Sequence, residues 1–226
     1  MSRLLFVVDY DGTLARENNP PEKSVLTRIS ILKSQSMFKF VLATARPLND
    51  IENFTSLDIF DALILELGGV LFLPPMDLIV FKSRRWNDII SMLSARIPAV
   101  NRGELLYYFD EESLPQALDT LAEIAHYDPI EIKKVGSRTH VFAPKNLDKE
   151  VGLRRLLRLT GWEDHQIVAI GDSPSDLPLF RAASVKVAVA NANDKLKGEA
   201  DLITNKSYGE GVVEAIEKIL GEEKRL

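Results

Sequence analysis

Leu4-Leu5-Phe6-Val7-Val8-Asp9-Tyr10-Asp11-Gly12-Thr13 runs from five consecutive apolar residues into two acids and a glycine. An apolar run that does not alternate with polar residues reads as a strand covered on both faces, as in a parallel sheet. Working outward, Pro20 and Pro21 precede a helical pattern with Val25, Leu26, Ile29 and Leu32 on one face. Residues 38–44 read as a second strand. Pro47 can open a helix with Leu48, Ile51 and Phe54 inward. Residues 62–66 form a third strand before the Gly68-Gly69 turn. The rhythm returns downstream. Asp148 can cap a helix with Leu153, Leu156 and Leu157 on one face, and strands are expected over 166–171, 185–189 and 201–204 before a last helix over 210–220. Strands alternating with helices predict an α/β fold with a parallel sheet covered on both faces.

The middle of the chain breaks this rhythm. Residues 83–97 look helical with Trp86, Ile89, Ile90 and Leu93 inward, 104–109 look like a strand, and 113–125 like a helix. Residues 130–134 and 138–142, joined across Gly136, read as an antiparallel hairpin. This block predicts a smaller α+β domain over 75–145, inserted into a core made of 1–74 and 146–226, with Pro74, Pro75 and Pro144 at the joints.

Residues two apart in an extended chain point to the same side, so Asp9 and Asp11 can face one centre at the strand's end. Ligands of open parallel sheets bind just beyond that end. Taken alone, the segment also reads as a turn with solvated acids. A second cluster, Gly171-Asp172-Ser173-Pro174-Ser175-Asp176, also follows a buried strand. Two acidic clusters at two strand ends can build an oxygen-ligand site of the kind Mg²⁺ prefers. Asp176 also suits the start of a helix. Thr44, ending the second strand, can donate to a phosphate oxygen or cap the following helix. Lys149 begins a helix, where the dipole does not favour a cation, and this suits a side chain facing an anion. A solvated surface lysine is the ordinary alternative.

Composition narrows the function. The 226 residues are 46% hydrophobic, enough for one large domain or a core with a smaller one. No apolar run reaches about 18 residues, so no membrane partner is expected. The amino-terminal residues lack a signal-peptide layout. With no cysteine, disulfides, thiolate metal sites and thiol nucleophiles are excluded. A cytoplasmic protein is the expectation. A formal net charge of −5 argues against nucleic acid as a partner, since such binding rests on Lys and Arg neutralising phosphates. It leaves open a small anion in a local pocket.

In order along the chain, Asp9-Tyr10-Asp11-Gly12-Thr13, Thr44, Lys149 and the 171–176 cluster resemble the four motifs of the haloacid dehalogenase superfamily. The spacing is similar to its Cof-like, type IIB cap branch, in which an α+β cap lies between the second and third motifs. The tail resembles the same branch through Val189-Ala190-Asn191-Ala192, Leu196-Lys197, Ala200-Asp201 and Tyr208-Gly209-Glu210-Gly211-Val212. Short chains of that branch include archaeal-type phosphoglycolate phosphatases and sucrose-phosphate phosphatase relatives. Three positions depart from the pattern: Ser175 replaces an Asn, Ala45 a Gly in Thr44-Ala45-Arg46, and Leu67 an Asn in Glu66-Leu67-Gly68-Gly69. The acids are intact, so the departures bear on subfamily and substrate more than on the reaction.

The resemblance implies a Rossmann-like core and a Mg²⁺-dependent phosphatase of a small phosphorylated metabolite, such as a sugar phosphate or a phosphoglycolate-like ester, working as a monomer or homodimer. It implies that Asp9 attacks phosphorus and that Asp11 protonates the leaving oxygen and then activates water. Asp9, Asp11 through its carbonyl, Asp172 and Asp176 would hold the metal, and Thr44, Arg46 and Lys149 the phosphate. Specificity is expected from Lys82, Arg84, Arg85, Arg138 and His140 in the inserted block, with His140 facing the core. A phosphomutase shares the first half-reaction. A phospho-accepting signalling module would also use Asp, Thr, Lys and Mg²⁺, but is about half this length. A binding protein without turnover is the third alternative, and the intact acids argue against it.

Overall fold

A computed structural model of the chain describes residues 3–74, 77–126 and 128–223. First come β1 (Leu4–Asp9), α1 (Lys23–Ser36), β2 (Lys39–Ala43), α2 (Leu48–Phe54), β3 (Ala62–Leu65), β4 (Val70–Leu73) and β5 (Asp77–Val80). Then follow α3 (Trp86–Ser94), β6 (Asn101–Arg102), β7 (Tyr107–Asp110), α4 (Leu114–Ile124), β8 (Ile130–Lys134) and β9 (Thr139–Pro144). The chain closes with α5 (Lys149–Thr160), β10 (Gln166–Gly171), α6 (Leu177–Ala182), β11 (Val185–Ala188), α7 (Asp194–Lys197), β12 (Leu202–Ile203) and α8 (Tyr208–Glu223).

The large sheet has the order β12-β11-β10-β1-β2-β3-β4-β5. All six residues of β1 are buried, as the unbroken apolar run requires of a central strand. β1 pairs in parallel with β10 and β2, with Val8 opposite Ile170 and Asp9 opposite Ala43. Asp9, Thr44 and Asp172 therefore leave the sheet at one edge.

Two strands of this sheet differ from the parallel expectation. β4 runs antiparallel to β3, and β5 antiparallel to β4. The chain reverses after β3 because Glu66, Leu67 and Gly68 all take positive φ, at 51°, 57° and 89°. The glycines mark a turn here, but Glu66 and Leu67 are not glycine, so residue type does not announce their left-handed backbone. β5 also places residues 77–80 in the large sheet, whereas the sequence pattern puts them in the inserted block. The expected joint at Pro75 lies outside the described residues.

The remaining strands form a separate antiparallel sheet, β6-β7-β9-β8. Trp86, Ile89, Leu93, Ala117 and Ile124 from α3 and α4 are buried with Phe109 and Phe142 from its strands. The Trp86 indole N–H donates to the Leu105 carbonyl at 2.7 Å, so its polar atom is satisfied.

α5 seats against the turn after β3 through an unusually close contact. A Cβ on Gly152 would lie 2.4 Å from the Gly68 Cα, so only glycine allows this approach. Asp148 caps the helix by accepting from the Val151 N–H at 3.0 Å. The first residue of α5 is thereby pressed to the edge where β1 ends.

Candidate active site

Asp9 is buried at the end of β1, and so is Lys149 at the start of α5. Lys149 Nζ donates to Asp9 Oδ1 at 2.5 Å and to Asp176 Oδ1 at 2.7 Å. The lysine is a buried bridge between two acids and not a solvated side chain. Burial alone would make its ammonium more acidic, but the Asp176 and Asp9 charges outweigh that and hold it protonated.

Oxygens of Asp9, Asp172 and Asp176 lie within 4.8 Å of one another. The loop that brings them together is bonded internally. Asp176 Oδ2 accepts from the N–H groups of Asp172 and Ser173 at 3.1 and 3.2 Å. Thr13 Oγ1 donates to Asp172 Oδ1 at 3.0 Å. Gly12 takes φ 84°, and a Cβ there would sit 2.3 Å from an Asp172 oxygen, so the two acidic segments meet only because residue 12 is glycine. The Asn191 amide fixes the same turn by donating to the Gly12 carbonyl at 2.8 Å and accepting from the Tyr208 N–H.

Three carboxylates here face one ammonium. Burial and the nearby Asp176 push the Asp9 carboxyl well above its ordinary range, and the same causes push Asp172 up to about 6. A buried site with surplus negative charge and oxygen donors fits a hard divalent cation, which would return these carboxyls to their charged form.

Asp11 stands apart from this cluster. Its carboxylate accepts both arms of Arg46, Nε at 2.6 Å and Nη2 at 2.8 Å, and the Asn18 N–H at 3.1 Å. Arg46, expected to hold phosphate, is thus committed to Asp11 and Asp50. Thr44 is buried, and its Oγ1 accepts from the Arg46 N–H at 3.1 Å, which leaves the hydroxyl hydrogen to donate into the cleft.

Two adjoining cavities open over these groups. One of about 380 Å³ is lined by Asp9, Thr44, Lys149, Asp172 and Ser175 among others. The second, about 340 Å³, is lined by Asp11, Arg46, Asp50, Asn101, Tyr108 and Thr139 among others. The hairpin tip Val135-Gly136-Ser137 borders both, and the Ser137 N–H donates to Glu17 Oε1 at 3.3 Å.

His140 does not face these cavities. β-strand alternation turns it to the opposite side of β9 from Thr139. It is buried against Phe109, with ring centroids 5.6 Å apart, and its Nδ1 has no hydrogen-bond partner among the described residues. Arg138 pairs with Glu112 at the surface, and none of Lys82, Arg84, Arg85, Arg138 and His140 lines either cavity. Lys134, Asn101 and Tyr108, none of them a candidate from sequence, do. No motif marks them, because they reach the cleft only through pairing of the second sheet. Asp50 carried a faint signal, standing four residues after Arg46 as helical ion pairs do.

The family of haloacid dehalogenase-like hydrolases matches residues 6–95 and 91–216. The chain belongs to the haloacid dehalogenase-like hydrolases. Phosphoglycolate phosphatase 2 of Saccharolobus solfataricus is 33% identical over 223 residues, covering 97% of this chain and 93% of the relative. The phosphoglycolate phosphatase of Methanosarcina acetivorans is 31% identical, covering 93% and 94%. Among solved structures, that of Thermoplasma acidophilum 0175 superposes with a TM-score of 0.75 at 21% identity, covering 96% of this chain and 98% of the other. A subclass IIB sugar phosphatase of the superfamily superposes with a TM-score of 0.68 at 17% identity, covering 96% and 98%. This haloacid dehalogenase-like hydrolase is an enzyme of phosphatase type, and its separate antiparallel sheet fits a cap.

Proposed function

We propose that this hydrolase cleaves a small phosphorylated metabolite through an aspartyl-phosphate on Asp9, with Mg²⁺ as its metal. The observation that carries the reading is the buried cluster of Asp9, Asp172 and Asp176 around Lys149, beside a separately held Asp11. Asp9 and Asp172 through their carboxylates, and Asp11 through its carbonyl, would hold the ion. The two oxygens of Asp176 already accept from Lys149 and the 172–173 backbone, so it braces the loop and adds charge. When bound, Mg²⁺ offsets the negative charge of phosphate and nucleophile.

The chain's own groups divide the work. Lys149 orients the Asp9 carboxylate and presents a cation to the transferring phosphoryl group. Thr44 donates its hydroxyl hydrogen to a phosphate oxygen. Asp11 gives its proton to the leaving oxygen, and the same carboxylate then takes one from water. The covering unit, residues 82–145, is proposed as the cap that closes the cleft and excludes bulk water. Arg46 is reassigned from phosphate binding to holding Asp11. The relatives' names make phosphoglycolate the first ester to try, with sugar phosphates beside it. The second cavity has room for either leaving group.

The test is turnover of a phosphate-ester panel by wild type and Asp9→Asn. Asp9→Asn should lose all measurable turnover and fail to capture beryllofluoride as a phosphoryl mimic. Substantial residual turnover would remove Asp9 from the role of nucleophile.

A further inference from the structure

The clamp on Asp11 continues outward into the covering sheet. Arg46 Nη1 donates to Asp50 Oδ2 at 3.3 Å, and its guanidinium lies 5.2 Å from the Phe54 ring and 5.7 Å from the Tyr10 ring. Asp50 Oδ2 also accepts from Asn101 Nδ2 at 3.0 Å. Asn101 lies on β6, and its register partner on β7 is Tyr108. The Tyr108 hydroxyl donates to the Ala45 carbonyl at 2.7 Å, one residue before Arg46. Two facing residues of the four-stranded sheet therefore grip both ends of the segment that carries Arg46.

We propose that Asp50, Asn101 and Tyr108 are positioning residues that orient the Asp11 carboxylate through Arg46, so that Asp11 can transfer its proton only while the covering sheet is seated. The inference rests on the reading of Asp11 as the proton-transferring group. A two-pronged guanidinium pair fixes both carboxylate oxygens in direction as well as distance. Proton transfer needs that direction, because the proton must travel along a short, aligned contact to the leaving oxygen. Asp50 supplies the second anion that stops the Arg46 fork from turning away. Asn101 holds Asp50, and Tyr108 holds the backbone beneath Arg46. None of the three contacts Asp9, Asp172, Asp176 or Lys149 through these bonds, so their loss should fall on the proton-dependent part of the reaction.

Asp50, Asn101 and Tyr108 also line the second cavity, so the experiment has to separate positioning from direct contact with substrate. Phenyl phosphate and p-nitrophenyl phosphate have nearly equal shape, but phenolate is the poorer leaving group and needs the proton more. kcat/KM, which reports transfer to Asp9 before the hydrolysis that both esters share, is measured for both esters with wild type, Asp11→Asn, Asp50→Asn, Asn101→Ala and Tyr108→Phe, each with saturating Mg²⁺. Asp11→Asn should lose on the order of a hundredfold more kcat/KM on phenyl phosphate than on the nitrophenyl ester. Asp50→Asn and Asn101→Ala should each show about a tenfold excess loss of kcat/KM on phenyl phosphate, and Tyr108→Phe about threefold. Equal proportional losses on both esters would overturn the positioning role while Asp11→Asn still shows its split. A flat response in Asp11→Asn itself would overturn the assignment of Asp11 and the inference with it. The conservative Tyr108→Phe change keeps the test valid even where a larger substitution weakens the fold.

Discussion

Glu66 joins the core to the covering sheet, and its removal is the most informative single change to stability. It follows β3 and is fully buried. Its carboxylate accepts the backbone N–H groups of Glu104, Leu105 and Leu106 at 2.8, 2.9 and 2.6 Å. A Cβ on Gly103 would fall 2.2 Å from the same carboxylate, so the 103–106 segment lies directly on it. Glu66→Ala leaves these donors without their acceptor. Each orphaned buried donor costs about 1–3 kcal/mol, and relief of the buried charge returns part of this, so the net loss should be about 3–5 kcal/mol. For a chain of this size that corresponds to roughly 10 °C or more in melting temperature.

The pH dependence has a definite sign. Burial, opposed by the three N–H bonds, raises the Glu66 carboxyl above its ordinary value. The native state therefore holds this proton more tightly than the unfolded chain does. The stability so gained is present in acid and is lost as pH rises through the raised native value. The gap between wild type and Glu66→Ala should be widest in mild acid, narrow through that range, and then level off. Glu66→Gln should fall between the two, because one amide oxygen can serve part of the N–H set while its NH₂ group confronts the rest. Thermal melts across pH check this. A drop of under about 2 °C for Glu66→Ala, or a gap that widens as pH rises, would refute the reasoning.

The other predictions concern the site and the covering sheet. Asp172→Ala should raise the Mg²⁺ concentration needed for half-maximal activity by more than about tenfold, whereas Asp11→Ala should lower kcat with little change in that requirement. Because the Asp172 carboxyl is pushed up to about 6 and must be ionised to hold a metal, the wild-type Mg²⁺ requirement should climb as pH falls below that value; equal metal titrations for the two variants would contradict the division of roles. His140→Leu should leave kcat/KM within about twofold and stability unchanged or up to about 1 kcal/mol higher, since it removes a buried nitrogen that has no partner among the described residues. A tenfold fall in kcat/KM would place His140 in substrate recognition after all.

Local sequence rules were enough for the parallel core and for the acids proposed to react. An unbroken apolar run this short, ended by acids and a glycine, reads as a doubly covered strand, and it places Asp9 and Asp11 at the strand's carboxyl end. Asp148 before a leucine-striped segment sets the start of α5, and hence the place of Lys149. These are local rules that act over a few residues. Tertiary structure alone decided the rest. The reversal from β3 into β4 depends on positive φ at Glu66 and Leu67, which propensity disfavours and packing enforces. Which face of β9 looks toward the cleft follows from the pairing of β7 with β9, and that pairing turned His140 inward and Thr139 outward. The resemblance makes Arg46 a phosphate ligand through the segment Thr44-Ala45-Arg46. It is instead held by Asp11, 35 residues earlier in the chain, and by an Asp50 whose other partner, Asn101, sits on the second sheet. The Asp11–Arg46 and Asp50–Asn101 contacts join residues far apart in the chain, and their geometry exists only once both sheets have packed, so no period or spacing in the sequence encodes them.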